Sequence, residues 1–270
     1  MEGFLKTVVE VKKEEIERCR AEIPLATLRR EAEETQIPAS FAEAMGKSTP
    51  EDPGIIAEVK KASPSKGDIR PDLDVPAYAE AYTKGGARAI SVLTESRFFK
   101  GTMADLQAVC GNTELPVLRK DFIFDEYQIY EAKRAGASAA LLITTLLSPV
   151  QQAELTHLTR ELGMEPLVEI NSEWEFEQAY QAGAKVVGIN NRNLTTLEVD
   201  HTVAGRVAKI FPEEIIPVEA SGISGREGIK AGLSNRIYNF LVGESIVRAE
   251  DPAQFINDLC GRKPAEDGDA

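Results

Sequence analysis

Short apolar runs recur along the chain from residue 55 onward, and amphipathic segments separate them. The eight runs are IIAEV at 55, AISVLT at 89, LPVLRKD at 115, AALLIT at 139, EPLVEIN at 165, VVGIN at 186, IIPVEAS at 215 and FLVGES at 240. Continuous apolar runs of this length predict strands that are buried on both faces, as in parallel sheets. A plausible helix follows each run, so the pattern predicts parallel strands connected by crossover helices.

The number of these units favours a closed barrel over an open sheet. A doubly wound sheet usually has about six strands and a glycine fingerprint after the first. Here eight runs occur, and no G-x-G-x-x-G follows the first of them. We therefore predict a single (β/α)8 TIM barrel domain of the α/β class over residues 1–262, with a disordered tail over residues 263–270.

Residues 1–50 precede the first run and predict an N-terminal helical extension. We expect two helices that join near Pro24 and cover the barrel. The apolar positions available for this contact are Phe4, Leu5, Val8, Val9, Ile16, Leu25 and Leu28.

Composition and charge narrow the range of partners. The chain is 43% hydrophobic but has no apolar run long enough to span a bilayer, and its acidic amino-terminal segment is unlike a transit peptide. We therefore expect a cytoplasmic protein with no membrane partner. The net charge of −13 argues against nucleic acid, because phosphate backbones recruit basic surfaces. The three cysteines and two histidines show no metal-ligand spacing, so we expect no metal.

The first run ends in two charged residues on one face. Glu58 and Lys60 lie two positions apart on a strand, so their side chains point the same way. An acid and a base at the end of a buried strand are costly unless they serve each other or a ligand. A structural ion pair is one explanation. An active site is the other, and it is favoured because barrel enzymes place their chemistry at the carboxyl ends of the strands.

Polar residues also lie at the ends of five other runs. They are Lys120 at the end of the third run, Glu169 and Asn171 at the end of the fifth, Asn190 and Arg192 at the end of the sixth, Ser221 and Gly222 at the end of the seventh, and Gly243 and Glu244 at the end of the eighth. Glycines in the last two loops leave backbone N–H groups free to bind an anion, which predicts a phosphate site there. Loop ordering and turn formation are the structural alternatives. Four apolar residues near the same strand ends could form a slot for an aromatic anion, although a core role is the default: Phe99, Phe122, Leu141 and Leu194.

Several motifs in order give the chain a family resemblance. They are IIAEVKKASPSKG, AISVLTESRFFKG, LPVLRKDFIFDEYQIYEA, LLI, LVEIN, GINNRNL, SGIS and LVGES. Together they closely resemble indole-3-glycerol phosphate synthase, a barrel enzyme of tryptophan biosynthesis. The resemblance implies a carboxy-lyase without metal or organic cofactor. Its reaction converts 1-(2-carboxyphenylamino)-1-deoxyribulose 5-phosphate into indole-3-glycerol phosphate, carbon dioxide and water.

The resemblance also implies residue roles. Lys120 would be the general acid in ring closure, and Lys60 would bind a substrate anion or donate a proton in dehydration. Glu169 would stabilise positive charge near the ring nitrogen or act as a base, and Glu58 would take a proton in dehydration. Asn190 would orient a substrate hydroxyl. The remaining substrate and phosphate ligands would be Ser63, Ser221, Gly222, Gly243, Glu244, Arg192 and Asn171, and the ring slot would consist of Phe99, Phe122, Leu141 and Leu194.

One strand departs from the family pattern. Family members usually read V-x-E-S-G-I at the seventh strand, whereas this chain has Glu219 and then Ala220 before Ser221. Adjacent strand residues face opposite sides, so we expect Glu219 to point towards the helices unless a bulge turns it inward. Glu219 is therefore a doubtful site residue, and its carry-over is not assumed.

Two other functions stay open. One is a different barrel enzyme that acts on a phosphorylated ketose, either an isomerase or a Schiff-base aldolase. The other is a descendant that binds phosphate without catalysis. We expect a monomer that binds a small phosphorylated substrate, and association with other enzymes of the tryptophan pathway is left open.

Overall fold

The chain folds around a closed barrel of eight parallel strands. The computed structural model describes residues 3–36, 39–192, 198–200 and 202–262. The strands are β1 (Gly54–Val59), β2 (Ala89–Leu93), β3 (Val117–Lys120), β4 (Ala139–Ile143), β5 (Glu165–Ile170), β6 (Val186–Ile189), β7 (Ile216–Glu219) and β8 (Asn239–Val242). Each strand pairs with its neighbours in chain order, and β1 closes the barrel by pairing with both β2 and β8. The predicted TIM barrel is confirmed, and every predicted run forms a strand.

The barrel strands are buried on both sides. All six residues of β1 are buried, as are all five of β2 and of β4. One face of each strand packs in the barrel interior and the other packs against the surrounding helices, which is why the runs are continuously apolar rather than alternating. A two-residue hairpin, Ala62–Ser63 with Gly67–Asp68, forms the loop after β1.

The described helices form the outer layer and the extension. They are α1 (Phe4–Glu22), α2 (Leu25–Glu34), α3 (Phe41–Gly46), α4 (Val75–Lys84), α5 (Met103–Cys110), α6 (Glu126–Arg134), α7 (Pro149–Glu161), α8 (Glu173–Gln181), α9 (Thr202–Val207), α10 (Arg226–Ser234), α11 (Glu244–Arg248) and α12 (Pro252–Cys260). Helix α6 shows the local signals: a capping box of Asp125 with Gln128 starts it, and Gly136 follows its end with a φ of 88°. None of the described helices is long and apolar enough to cross a membrane.

The extension contains three helices rather than the two that the sequence predicts. Helices α1 and α2 meet at Pro24 as expected, and Leu5, Val8 and Leu28 are buried. Helix α3 was missed because its six residues are too few to show a helical period. It is capped by Ser40 and buries Phe41 and Met45. The predicted tail over residues 263–270 lies outside the described residues.

Candidate active site

A cavity of about 490 Å³ opens at the carboxyl end of the barrel. Its size lies within the usual range for small-molecule sites. The predicted site residues that line it are Glu58, Lys60, Ser63, Phe99, Lys120, Phe122, Leu141, Glu169, Asn190, Arg192, Ser221, Gly222, Gly243 and Glu244. The fold therefore brings together residues that are up to 186 positions apart in the sequence, from Glu58 to Glu244.

An ion cluster joins β1 and β3 at one side of the cavity. The buried carboxylate of Glu58 lies 2.6 Å from Lys60 Nζ and 3.8 Å from Lys120 Nζ. Burial favours the neutral acid, but the attraction of the two lysines outweighs it and lowers the pKa of Glu58. Both lysine side chains are partly exposed to the cavity, at 17% and 19%. Glu58 and Lys60 therefore form an ion pair, and a ligand in the cavity can reach the ammonium groups of both lysines.

A second carboxylate, Glu169 on β5, has the opposite electrostatic environment. Its Oε1 accepts a hydrogen bond of 2.8 Å from Asn190 Nδ2, while its buried Oε2 has no hydrogen-bond partner among the described residues. Burial raises the pKa of Glu169 despite the opposing effects of Lys120 and Asn190. Two carboxyl groups in one cavity therefore have pKa values displaced in opposite directions, which is the usual way to separate acid and base roles.

Asn190 connects Glu169 to the loop after β7. Its Oδ1 accepts hydrogen bonds from Ser221 Oγ at 2.7 Å and from the backbone N–H of Arg192 at 2.9 Å. Because Oδ1 and Nδ2 both have partners, the orientation of the amide is determined. A substrate hydroxyl at this position would meet a fixed amide rather than a freely rotating one.

The loops after β1, β7 and β8 form the end of the cavity suited to an anion. Ser63 Oγ is buried without a hydrogen-bond partner in the described part of the chain, and Gly222 has a φ of 87°. Gly243 lies against the ion cluster. A Cβ at this position would collide with the carboxylate of Glu58 and lie 2.6 Å from Lys60 Nζ, so a larger residue would displace the side chains of the ion cluster.

Aromatic rings form the opposite wall. The centroids of Phe99 and Phe122 lie 6.3 Å apart, and Phe4 of α1 packs edge-on against Phe122 at 6.1 Å. Phe4 lines the cavity but was not predicted as a site residue. Its apolar character was visible in the sequence, whereas its position over the barrel mouth depends on how α1 docks. The predicted pocket residue Leu194 lies outside the described residues.

A buried carboxylate holds the loop that carries Phe99. Glu95 is fully buried, and its two oxygens accept hydrogen bonds from the backbone N–H groups of Arg97, Phe98 and Phe99 at 2.9, 2.7 and 2.9 Å. This side chain shapes the aromatic wall without reaching the cavity itself.

Two predicted residues do not line the cavity. The Asn171 backbone N–H donates to Glu175 Oε2 at 2.7 Å, because the chain has already turned from β5 into α8 at this point. The prediction of Asn171 as a binding residue is therefore not supported. Glu219 faces the helices, as the strand alternation predicts, and Ala220 lines the cavity in its place.

Asp121 directly follows Lys120, the last residue of β3, and is buried. Asp121 binds Lys12 of α1 at 2.9 Å, Arg119 at 3.1 Å and Thr94 Oγ1 at 2.6 Å. Burial would raise the pKa of Asp121, but Lys12 and Arg119 lower it. The extension is thus attached by a buried ion pair to the residue next to Lys120. Among the described residues, no group of three or more His, Cys, Asp or Glu side chains could hold a metal ion.

Comparisons with known proteins agree with this geometry. Residues 5–259 match the family model described as "Indole-3-glycerol phosphate synthase". An indole-3-glycerol phosphate synthase from Desulfosudis oleivorans is 45% identical over 260 residues, which cover 96% of this chain and 99% of the relative. One from Carboxydothermus hydrogenoformans is 44% identical over 261 residues, covering 95% and 99%.

Solved structures of lower identity share the fold. A 3-hexulose-6-phosphate synthase from Salmonella typhimurium superposes with a TM-score of 0.62 at 14% identity, covering 77% of this chain and 97% of the other. A thiamine phosphate pyrophosphorylase from Pyrococcus furiosus gives 0.57 at 15% identity, covering 77% and 94%. These two likenesses show the barrel alone.

Proposed function

The chain belongs to the indole-3-glycerol phosphate synthase family, carboxy-lyases of tryptophan biosynthesis, and we propose that the cavity at the barrel mouth is where its reaction occurs. The substrate is 1-(2-carboxyphenylamino)-1-deoxyribulose 5-phosphate. Ring closure, decarboxylation and dehydration convert it into indole-3-glycerol phosphate, carbon dioxide and water.

The observation that carries the proposal is the arrangement of four ionisable side chains around one cavity. Glu58 contacts Lys60 and Lys120, and Glu169 lies in the same cavity with one oxygen unpaired among the described residues. The two lysines supply positive charge for a substrate that carries a carboxylate and a phosphate. The aromatic wall suits the anthranilate ring, and the loops after β7 and β8 suit the phosphate.

Ring closure requires an acid at the ketose carbonyl. Lys120 donates a proton to the carbonyl oxygen while the ring carbon that bears the carboxylate forms a bond to the carbonyl carbon. The positive charge of the dearomatised ring is shared with the ring nitrogen. Loss of carbon dioxide then returns the electron pair of the broken C–C bond to the ring, so no external reductant or oxidant is needed.

Dehydration requires one acid and one base. Lys60 donates a proton to the departing hydroxyl, and Glu169 accepts a proton from the carbon next to the ring nitrogen. We assign the base to Glu169 because burial raises its pKa, whereas Lys60 and Lys120 lower that of Glu58. Glu58 orients the two ammonium groups. This division differs from the one implied by resemblance alone, in which Glu58 takes the proton.

Synthetic substrate provides the direct test. The wild-type protein should release indole-3-glycerol phosphate, detected by fluorescence, and no product at high enzyme concentration would refute the function. Lys120→Met should lower kcat by about a hundredfold or more, with an unchanged circular dichroism spectrum. Lys230→Met, an exposed lysine substitution on α10, is the matched control and should leave turnover unchanged. Turnover of K120M within about twofold of wild type would remove Lys120 from the acid role.

We further propose that the protein acts as a monomer in the cytoplasm. The support for a monomer is that the residues assigned roles above all belong to one chain, so the proposed reaction needs no group from a second subunit. Gel filtration with light scattering at assay concentration tests the oligomeric state, and a stable dimer would contradict it.

A further inference from the structure

Glu219 is a buried carboxyl group that the proposed mechanism does not use. It ends β7 on the side of the helices and is only 7% exposed. Its Oε2 lies so close to α10 that a Cβ on Gly232 would be 2.8 Å from it. A carboxyl group in such a place is costly unless it makes a hydrogen bond, so its partner indicates its role.

That partner is the side chain of Asn191, which is itself buried. Asn191 Nδ2 donates to Glu219 Oε1 at 2.8 Å and to the backbone carbonyl of Ser221 at 3.2 Å. Asn191 Oδ1 accepts from the backbone N–H of Ala204 in α9 at 2.9 Å. The Asn191 amide thus links three parts of the chain: the end of β6, the loop after β7, and helix α9. Glu219 accepts a hydrogen bond from this amide on the side of the helices.

Asn190 and Ser221, which lie next to the contact between Glu219 and Asn191, both line the cavity. Asn190, which precedes Asn191, donates to Glu169 at 2.8 Å, and Ser221 Oγ donates to Asn190 Oδ1 at 2.7 Å. A continuous chain of hydrogen bonds therefore runs from Glu219 through Asn191 and Ser221 to Asn190 and Glu169. We infer that Glu219 is a positioning residue: acting through Asn191, it fixes the backbone at Asn190 and Ser221 and so the contact of Asn190 with the Glu169 carboxylate.

This inference rests on the proposed function and deepens it, because it concerns the orientation of the same site. It also gives a role to Glu219, which precedes the cavity-lining residue Ala220 in the sequence. The carboxyl group acts as a hydrogen-bond acceptor in the helix layer and does not touch the substrate.

Two substitutions separate the acceptor from the charge. Glu219→Leu keeps much of the volume but removes the acceptor, and we expect kcat/KM to fall about tenfold, as for the loss of one buried hydrogen bond. Glu219→Gln keeps a carbonyl oxygen, and we expect kcat/KM within about twofold of wild type. If Glu219 acts through Asn191, adding E219L to Asn191→Ala should lower kcat/KM by less than about twofold further.

A matched control tests for a merely structural effect. Gln152→Leu removes buried hydrogen bonds to Thr144 and Gln178 elsewhere in the helix layer, and it should lower stability but leave kcat/KM unchanged. All variants are assayed where circular dichroism shows them folded. An unchanged kcat/KM in E219L, an equal loss in E219Q, additive effects with N191A, or an equal loss in Q152L would each overturn the inference.

A second measurement does not depend on turnover. The side-chain amide resonance of Asn191, assigned by NMR, should keep its chemical shift in E219Q and move in E219L. An unmoved resonance in E219L would overturn the inference. An inactive wild type would instead refute the proposed function, and the resonance would still decide whether Glu219 holds Asn191.

Discussion

The burial of Glu219 makes the stability of this protein depend on pH in a defined direction. Burial raises the pKa of Glu219 from 4.5 to about 7, opposed only in part by the hydrogen bond from Asn191. In the unfolded chain the carboxyl group loses its proton near its ordinary pKa. Between the two values the folded protein therefore holds more protons than the unfolded one, and the free energy of unfolding falls as pH rises.

The size of the effect follows from the two pKa values. Each unit of pKa difference corresponds to about 1.4 kcal/mol, so the full effect is about 3 kcal/mol, and about 2.5 kcal/mol of it develops between pH 5 and pH 8. Above the folded-state pKa the penalty is constant. Glu219→Gln has no proton to lose, so the stability of E219Q relative to wild type should rise by about 2.5 kcal/mol over this interval.

Urea unfolding at pH 5, 6, 7 and 8 measures this difference. Other titrating groups, including Glu58, Glu169 and Asp121, are present in both proteins and cancel when the two curves are subtracted. Glu227→Gln on α10 is the matched control, because its side chain is 85% exposed and its ion pair with Lys230 lies at the surface. Its difference from wild type should stay within about 0.5 kcal/mol across the series. An equally flat curve for E219Q would refute the argument that burial displaces this carboxyl group.

Three further substitutions probe the surroundings of the site. Lys12→Met leaves the buried Asp121 without one of its cations and should lower the free energy of unfolding, measured in urea, by about 3 kcal/mol. Adding Asp121→Asn to this variant should recover part of the lost stability. No recovery would contradict the ion-pair account. Gly243→Ala places a methyl group against the side chains of Glu58 and Lys60 and should lower kcat/KM at least about tenfold, because it displaces the ion cluster. A fully active G243A would show that the position of these two side chains does not limit turnover. Glu95→Ala leaves three backbone N–H groups without their acceptor. Because the loop that Glu95 holds forms the aromatic wall, this variant should raise KM more than it lowers kcat. Equal effects on KM and kcat would point to general destabilisation.

The barrel itself was predictable because its strands carry a strong local signal. A strand buried on both faces must be apolar along its whole length, so runs such as IIAEV are visible without knowledge of their neighbours. The position of Glu58, Lys60, Lys120 and Glu169 was predictable for the same reason. Parallel strands end at one rim, and a polar residue at a strand end must lie there.

The extension and the loops were less predictable, because their partners are distant in the sequence. Helix α3 is too short to show a period, and Phe4 reaches the cavity only because α1 docks over the barrel mouth. Glu169 lies within β5, whereas Asn171 comes directly after its end, where the Glu175 side chain of α8 accepts a hydrogen bond from its backbone N–H. A strand pattern specifies which face a residue takes only while the strand continues.

The seventh strand shows which properties follow from the sequence alone and which depend on the tertiary structure. The sequence alone predicted that Glu219 and Ala220 face opposite ways, because side chains alternate along a strand that continues without a bulge. Only the tertiary structure decided that Asn191, in the loop after the neighbouring strand β6, lies within hydrogen-bond reach of Glu219, and that Gly232 of α10 packs against the carboxyl group. Alternation is a property of the local backbone, whereas the partner and pKa of a buried acid depend on the elements that surround it.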